Sequence, residues 1–171
     1  MTVYLQSIGD PMQPVEPTKE HRWLHQLVGE WKFEGECSMG PDQPAIKNTG
    51  SERVRSLGGI WTIGEGQGDP NDEGSKSIMT LGYDVDKGRY VGTFVVGCMA
   101  YLWLYDGSLD ENEKILTLDA EGPSFAGDGT MAKYQDIIEF IDSDNRTLSS
   151  RYLTPDGNWI PFMKVHYRRV S

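Results

Sequence analysis

From Gly29 almost to the end of the chain, apolar residues recur at every second position. In "GEWKFEGECSM", residues 29–39, one set is Trp31, Phe33, Gly35, Cys37 and Met39; the other is Glu30, Lys32, Glu34, Glu36 and Ser38. A period of two marks a strand with one face in a core and the other in water. The rhythm predicts strands at 30–39, 46–57, 60–67, 76–84, 89–97, 100–108, 114–121, 130–141, 146–154 and 158–169. Between them stand "MGPDQP", "LGG", "GDPNDEG", "DVDKG", "DENE", "EGPSFAGDG", "DSDN" and "TPDG". These separators supply the Gly, Asn, Asp and Pro that tight turns require. Such short links make consecutive strands antiparallel neighbours.

Upstream the period is helical. Pro17 and Thr18 predict a helix start, residues 19–28 its body, and Gly29 its end. Leu24, Leu27 and Val28 share its core face. Residues 1–16, with Pro11 and Pro14 and no period, read as an N-terminal arm. The remainder, 17–171, reads as one barrel domain that includes a capping helix at 17–28.

Ten sequential antiparallel strands in an open sheet would leave two unpaired edges. Closure removes them and gives each strand an inside and an outside. The expected fold is therefore all-β: a single antiparallel up-and-down barrel of about ten strands with one N-terminal capping helix. A barrel slightly wider than eight strands holds either large aromatics or a cavity. Glycines on the expected inner rows (Gly35, Gly64, Gly66, Gly82, Gly92) relieve crowding.

The aromatic residues Trp31, Phe33, Tyr90, Phe94, Tyr101, Trp103, Trp159 and Tyr167 are the candidate lining. They serve equally as a packed core or as walls for a flat or apolar molecule, bound by burial at about 25 cal/mol per Å² of apolar surface. Residues 100–105 are apolar on both faces. Leu102 and Leu104 point outward there, as a dimer interface would require.

Composition narrows the partners. Sixteen basic against 26 acidic residues give a formal net charge of −10. That field repels phosphate backbones and anionic lipid, so neither nucleic acid nor membrane is an expected partner. No apolar run is long enough to span a bilayer, and the start "MTVYLQSIGDPMQPVEPTKEH" has no export-signal pattern. A cytoplasmic location is expected. Cys37 and Cys98 read as two core thiols rather than a disulfide.

Histidines and carboxylates are the remaining chemistry. His21 and His25, four apart on the predicted helix, share a face and with His166 would make a zinc set; surface or cap roles explain them as well. No H-E-x-x-H pattern is present. Asp84 and Asp86, like Asp142 and Asp144, fit turn chemistry better than a calcium loop. Asp119 and Glu121 on one strand and Arg151 on another would meet if their rows faced inward, and would read a polar ligand head.

Several strings also carry a resemblance: "LVGEW" with its G-x-W triplet, "LGG" at 57–59, "LGYD" at 81–84, "YDG" at 105–107, "PDG" at 155–157 and the terminal "VHYRR". In this order they resemble the bacterial domain-of-unknown-function family fifteen-seventy-nine, grouped with the calycin-like barrels that include lipocalins, fatty-acid-binding proteins and nitrobindin-like haem proteins. The resemblance implies the barrel and brings no catalytic residues. It also makes His166 a candidate haem ligand. Parity opposes that: if Trp159, Met163, Val165 and Tyr167 face inward, His166 faces out, unless a β-bulge inverts the strand. Three functions remain open: binding of a small apolar or aromatic molecule with no cofactor, a haem- or metal-dependent enzyme using a histidine, and a packed homodimer module.

Overall fold

A computed structural model describes residues 14–38, 40 and 42–171. Most of the expected arm, and Met39, lie outside the described residues. The helical segment comprises α1 (Lys19–Leu24) and a 3₁₀ turn (His25–Leu27). The strands are β1 (Gly29–Cys37), β2 (Ile46–Leu57), β3 (Trp61–Gln67), β4 (Lys76–Asp84), β5 (Arg89–Val96), β6 (Trp103–Leu109), β7 (Ile115–Pro123), β8 (Met131–Phe140), β9 (Asn145–Leu153) and β10 (Trp159–Arg169).

Each strand pairs with its sequence neighbours, and β10 closes on β1, giving a ten-stranded antiparallel up-and-down barrel. At the closure Phe33 stands opposite Tyr167 and Gly35 opposite Val165. Gly35 is obligatory there: a Cβ would lie 2.3 Å from the Lys164 carbonyl oxygen and 2.6 Å from Val165 Cα. This is why a glycine interrupts the apolar face of the first strand.

The helix is shorter than its apolar spacing predicts. Val28 is already extended, and Gly29, at φ +140°, begins β1. Its place is nevertheless the expected one, across one end of the barrel. Trp23, Leu24 and Leu27 are buried against Trp31, Tyr90 and Phe140. Trp23 Nε1–H donates to Glu113 O at 2.7 Å, and Trp31 Nε1–H donates to Leu27 O at 2.8 Å. Arg169, last residue of β10, donates to Val28 O and Gln26 O and ties the closing strand to the plug.

Two expected placements are corrected. Gly82 belongs to the outer row, where the Trp61 ring covers it. Cys98 is exposed in the β5–β6 connection, because β5 ends at Val96 and β6 does not begin until Trp103; only Cys37 faces the interior.

Candidate functional site

The two halves of the interior differ. Near the helix most inward side chains are sealed: Trp31 and Leu116 are 0% exposed, Leu81 and Tyr90 2%, with Tyr83 and Leu109 half-buried beside α1. At the opposite end the inward residues Phe33, Cys37, Met79, Phe94, Trp103, Tyr152, Phe162 and Met163 are only half-buried. These inward side chains keep solvent-accessible surface at the end of the barrel away from the helix, which forms a cup.

One side of the cup is an aromatic cluster. Phe125, in the β7–β8 connection, stacks edge-on to Tyr134, Tyr152 and Phe162 at centroid distances of 5.8, 5.1 and 5.0 Å. Trp103 lies 5.0 Å from Tyr134 and 5.0 Å from Tyr101. Tyr101 sits on the rim just before β6 and donates to Glu121 O. Gly122 makes room for Trp103, whose ring would stand 2.2 Å from a Cβ there.

The inner row of the β8–β9 ladder, read from mouth to helix, is Tyr134 with Tyr152, Asp136 with Ser150, Ile138 with Leu148 and Phe140 with Arg146. Two charge-bearing side chains, Asp136 and Arg146, therefore sit inside this wall, with the Ser150 hydroxyl beside Asp136. Arg146 pairs through Nη2 with the Glu52 carboxylate of β2, and its guanidinium lies over the rings of Tyr167 and Trp31. Asp136 accepts from the Tyr105 and Ser150 hydroxyls. Burial is the largest influence on Asp136 and pushes its carboxyl above the ordinary carboxylate range, against those two hydrogen bonds. Burial likewise pushes the Tyr105 phenol well up and raises the Cys37 thiol.

Of the eight lining candidates, Phe33, Phe94 and Trp103 face the cup, and Tyr101 stands at its rim. Trp31, Tyr90 and Tyr167 face inward but are buried in the helix-side half. Trp159 is a correction. A register shift between Pro161 and Met163 places Trp159 opposite Leu153 and Pro161 opposite Arg151, on the outer row. The Arg151 guanidinium covers its ring at 5.0 Å. The bulge brings in Phe162, which strict alternation had assigned outward, and leaves His166 outside, exposed, in register with Glu34.

Asp119, Glu121 and Arg151 also lie on the outer face. Asp119 accepts from Gln135, and Gln135 accepts from Arg151. The interior carboxylate–guanidinium pair is Glu52–Arg146 instead. Its signal was present: Glu52 shares parity with Val54, and Arg146 with Leu148 and Tyr152.

The histidines are separated by role. His21 is buried at 2% exposure; its Nδ1 accepts from Thr18 N–H, so Nε2 carries the proton and donates to Tyr83 O. His25 is exposed beside Gly59 O. No group of three or more His, Cys, Asp or Glu among the described residues is arranged to hold a metal ion.

Two concavities lie outside the interior. One, of about 640 Å³, runs mainly over the outer faces of β1, β2 and β10 beside Glu34, Lys47, Lys164 and His166. The other, of about 430 Å³, lies between α1 and the β6–β7 turn. Both are open to solvent; the first mixes charged side chains with Phe162 and Met163, and the second is lined by carboxylates, Trp23, Tyr83 and Tyr90. No helix among the described residues is long and apolar enough to cross a membrane.

Fold and site define a closed ten-stranded meander barrel, plugged at one end and open at the other. The chain belongs to the family described as "Protein of unknown function (DUF1579)", whose model matches residues 16–169. No curated protein matches the sequence. Among solved structures, Rv2717c from M. tuberculosis is similar over 91% of this chain and all of that one, with a TM-score of 0.58 at 12% identity. That is a likeness of fold. A redesigned beta barrel matches over 88% of this chain and 96% of its own, at a TM-score of 0.38 and 12% identity.

Proposed function

We propose that the protein binds a small apolar or aromatic molecule non-covalently in the open half of its barrel, in the manner of calycin-like carriers. One observation carries this reading: inward-facing Phe33, Cys37, Phe94, Trp103 and Met163 are half-buried at the mouth, while Trp31, Leu81, Tyr90 and Leu116 beside the helix are sealed. An apolar ligand entering the cup removes that surface from water at about 25 cal/mol per Å², less the cost of its immobilisation. The family resemblance supports the reading by analogy of architecture alone. A haem- or metal-dependent reaction finds less support, since His166 lies outside the barrel and His21 is committed to backbone hydrogen bonds.

The test is a titration with the neutral fluorophore N-phenyl-1-naphthylamine. Saturable, one-to-one enhancement that weakens in Phe162→Ala is expected. Absence of saturable binding would refute the reading.

A second reading rests on the outer face of β4–β6. Ile78 and Val95 are cross-strand partners there, and they, Leu102 and Leu104 are exposed. Such an apolar face suits a second copy of the chain. A dimer by size-exclusion chromatography that dissociates in Leu102→Asp is the expected result; a monomeric parent would rule it out.

A further inference from the structure

We propose that Asp136 is the anchor of the cup, and that the molecule bound there is a hydrophobic amine whose ammonium group sits on this carboxylate. The inference rests on the interior-binding reading and names its ligand class. Among the described residues, the carboxyl and guanidinium groups on the inner rows are Glu52, Arg146 and Asp136, with Arg169 at the helix end opposite Trp31 and committed to the carbonyls of Gln26 and Val28. Glu52 and Arg146 neutralise each other. Asp136 has only hydroxyl partners, Tyr105 and Ser150, and no cation within ion-pair distance. It therefore stands as one uncompensated acid in an apolar chamber.

Its position suits recognition. Asp136 lies one inward step below the Tyr134–Tyr152 pair, on the side of the cup where Trp103, Phe125 and Phe162 gather. The barrel wall surrounds its carboxyl, on which desolvation is the dominant influence, while the residue as a whole is half-buried rather than sealed. Each carboxylate oxygen accepts one hydroxyl and keeps a lone pair free. The ring faces above attract a cation, and the apolar wall receives the rest of the molecule. The elevated affinity of Asp136 for a proton has the same origin: the site lacks a positive charge, and a proton or an ammonium ion supplies it.

Three isosteric probes separate the outcomes: 1-naphthylmethylammonium, 1-naphthalenemethanol and 1-naphthoate. Each is titrated against displacement of N-phenyl-1-naphthylamine, at high salt to screen the overall acidity of the chain. The ammonium probe is expected to bind roughly tenfold tighter than the alcohol, as for a charge-assisted hydrogen bond, and the carboxylate probe weakest. In Asp136→Asn the advantage of the cation over the alcohol disappears. If that variant fails to fold, the pH dependence of the wild type decides. The groups facing Asp136 are the Tyr105 and Ser150 hydroxyls and, from β10, the Tyr167 phenol, with Leu118 beside it; Glu52, the other inner carboxylate, is held by Arg146. Ammonium affinity should therefore fall as Asp136 takes up its proton in acid, with the alcohol unaffected.

Equal affinities for alcohol and cation, or a cation advantage that survives Asp136→Asn or is independent of pH, overturn the proposal. Failure of every probe, N-phenyl-1-naphthylamine included, defeats interior binding itself and the anchor with it.

Discussion

The guanidinium of Arg146 lies 3.8 Å from the centre of the Tyr167 ring, while its Nη2 holds the Glu52 carboxylate. Strands β9, β10 and β2 are thus joined across the interior by one charged, stacked contact. Removing a single member strands a charge. Arg146→Met is expected to cost about 3–5 kcal/mol, and Arg146→Met with Glu52→Leu to recover most of that loss. Urea denaturation of the two variants checks it. A double variant no more stable than the single would show that the penalty has another source.

Gly35 is set by backbone approach rather than by conformation. Gly35→Ala drives a methyl into β10 and should cost about 1–3 kcal/mol or more, because strand backbone cannot step aside. Gly58, at φ +64° with nothing within 4 Å of an added Cβ, offers the contrast. Gly58→Ala should cost about 1 kcal/mol from backbone strain alone. Thermal unfolding of the pair separates the two causes.

The bulge in β10 predicts opposite behaviour for two aromatics three residues apart. Phe162 packs on Phe125, Tyr134 and Tyr152; Trp159 lies outside under Arg151. Phe162→Ala should cost about 2 kcal/mol or more and weaken N-phenyl-1-naphthylamine binding. Trp159→Ala should cost no more than about 1 kcal/mol and leave binding intact. Binding lost in the tryptophan variant would place that ring in the cup.

Asp136 gives a pH signature. Its carboxyl is raised in the folded state above the ordinary 3.8, so the folded protein holds this proton more tightly than the unfolded chain. The group therefore favours folding at low pH. That contribution is lost as pH rises from the unfolded value through the folded one, and is constant above both. Asp136→Asn removes the loss, so stability of the variant relative to wild type should climb across the acid range and then level off. The surface carboxylates Asp110, Asp128, Asp142 and Asp156 are lowered by local hydrogen bonds and act in the opposite direction. They cancel in the difference between the two proteins. A difference that stays flat from acid to neutral pH would mean that Asp136 is not raised.

The barrel was legible because alternation is local and turn chemistry is local; strand ends differ from expectation by three residues at most. Parity fails where local rules fail. Nothing in "NWIPFMKVHY" announces that one extra residue enters β10, so Trp159 and Phe162 exchange faces. The interior charges were hidden for a related reason. Parity places Glu52 and Arg146 on apolar rows, but their meeting depends on how far the strands shear when the sheet closes. Asp136 is similar: its inward row is readable from Tyr134 and Ile138, whereas its hydroxyl partners come from β6 and β9. His21 shows the converse, a residue of ligand type consumed by capping and by one carbonyl of β4.

Access to the cup is most directly measured at Cys37, the inward thiol near the mouth. In a Cys98→Ser background a small methylthiosulfonate reagent should modify Cys37 while the protein stays folded. The reaction should be slow, because burial raises the thiol pKa, and saturating N-phenyl-1-naphthylamine should block it. Labelling that occurs only when the whole barrel unfolds, or that ignores the bound fluorophore, would mean the chamber is closed to solvent.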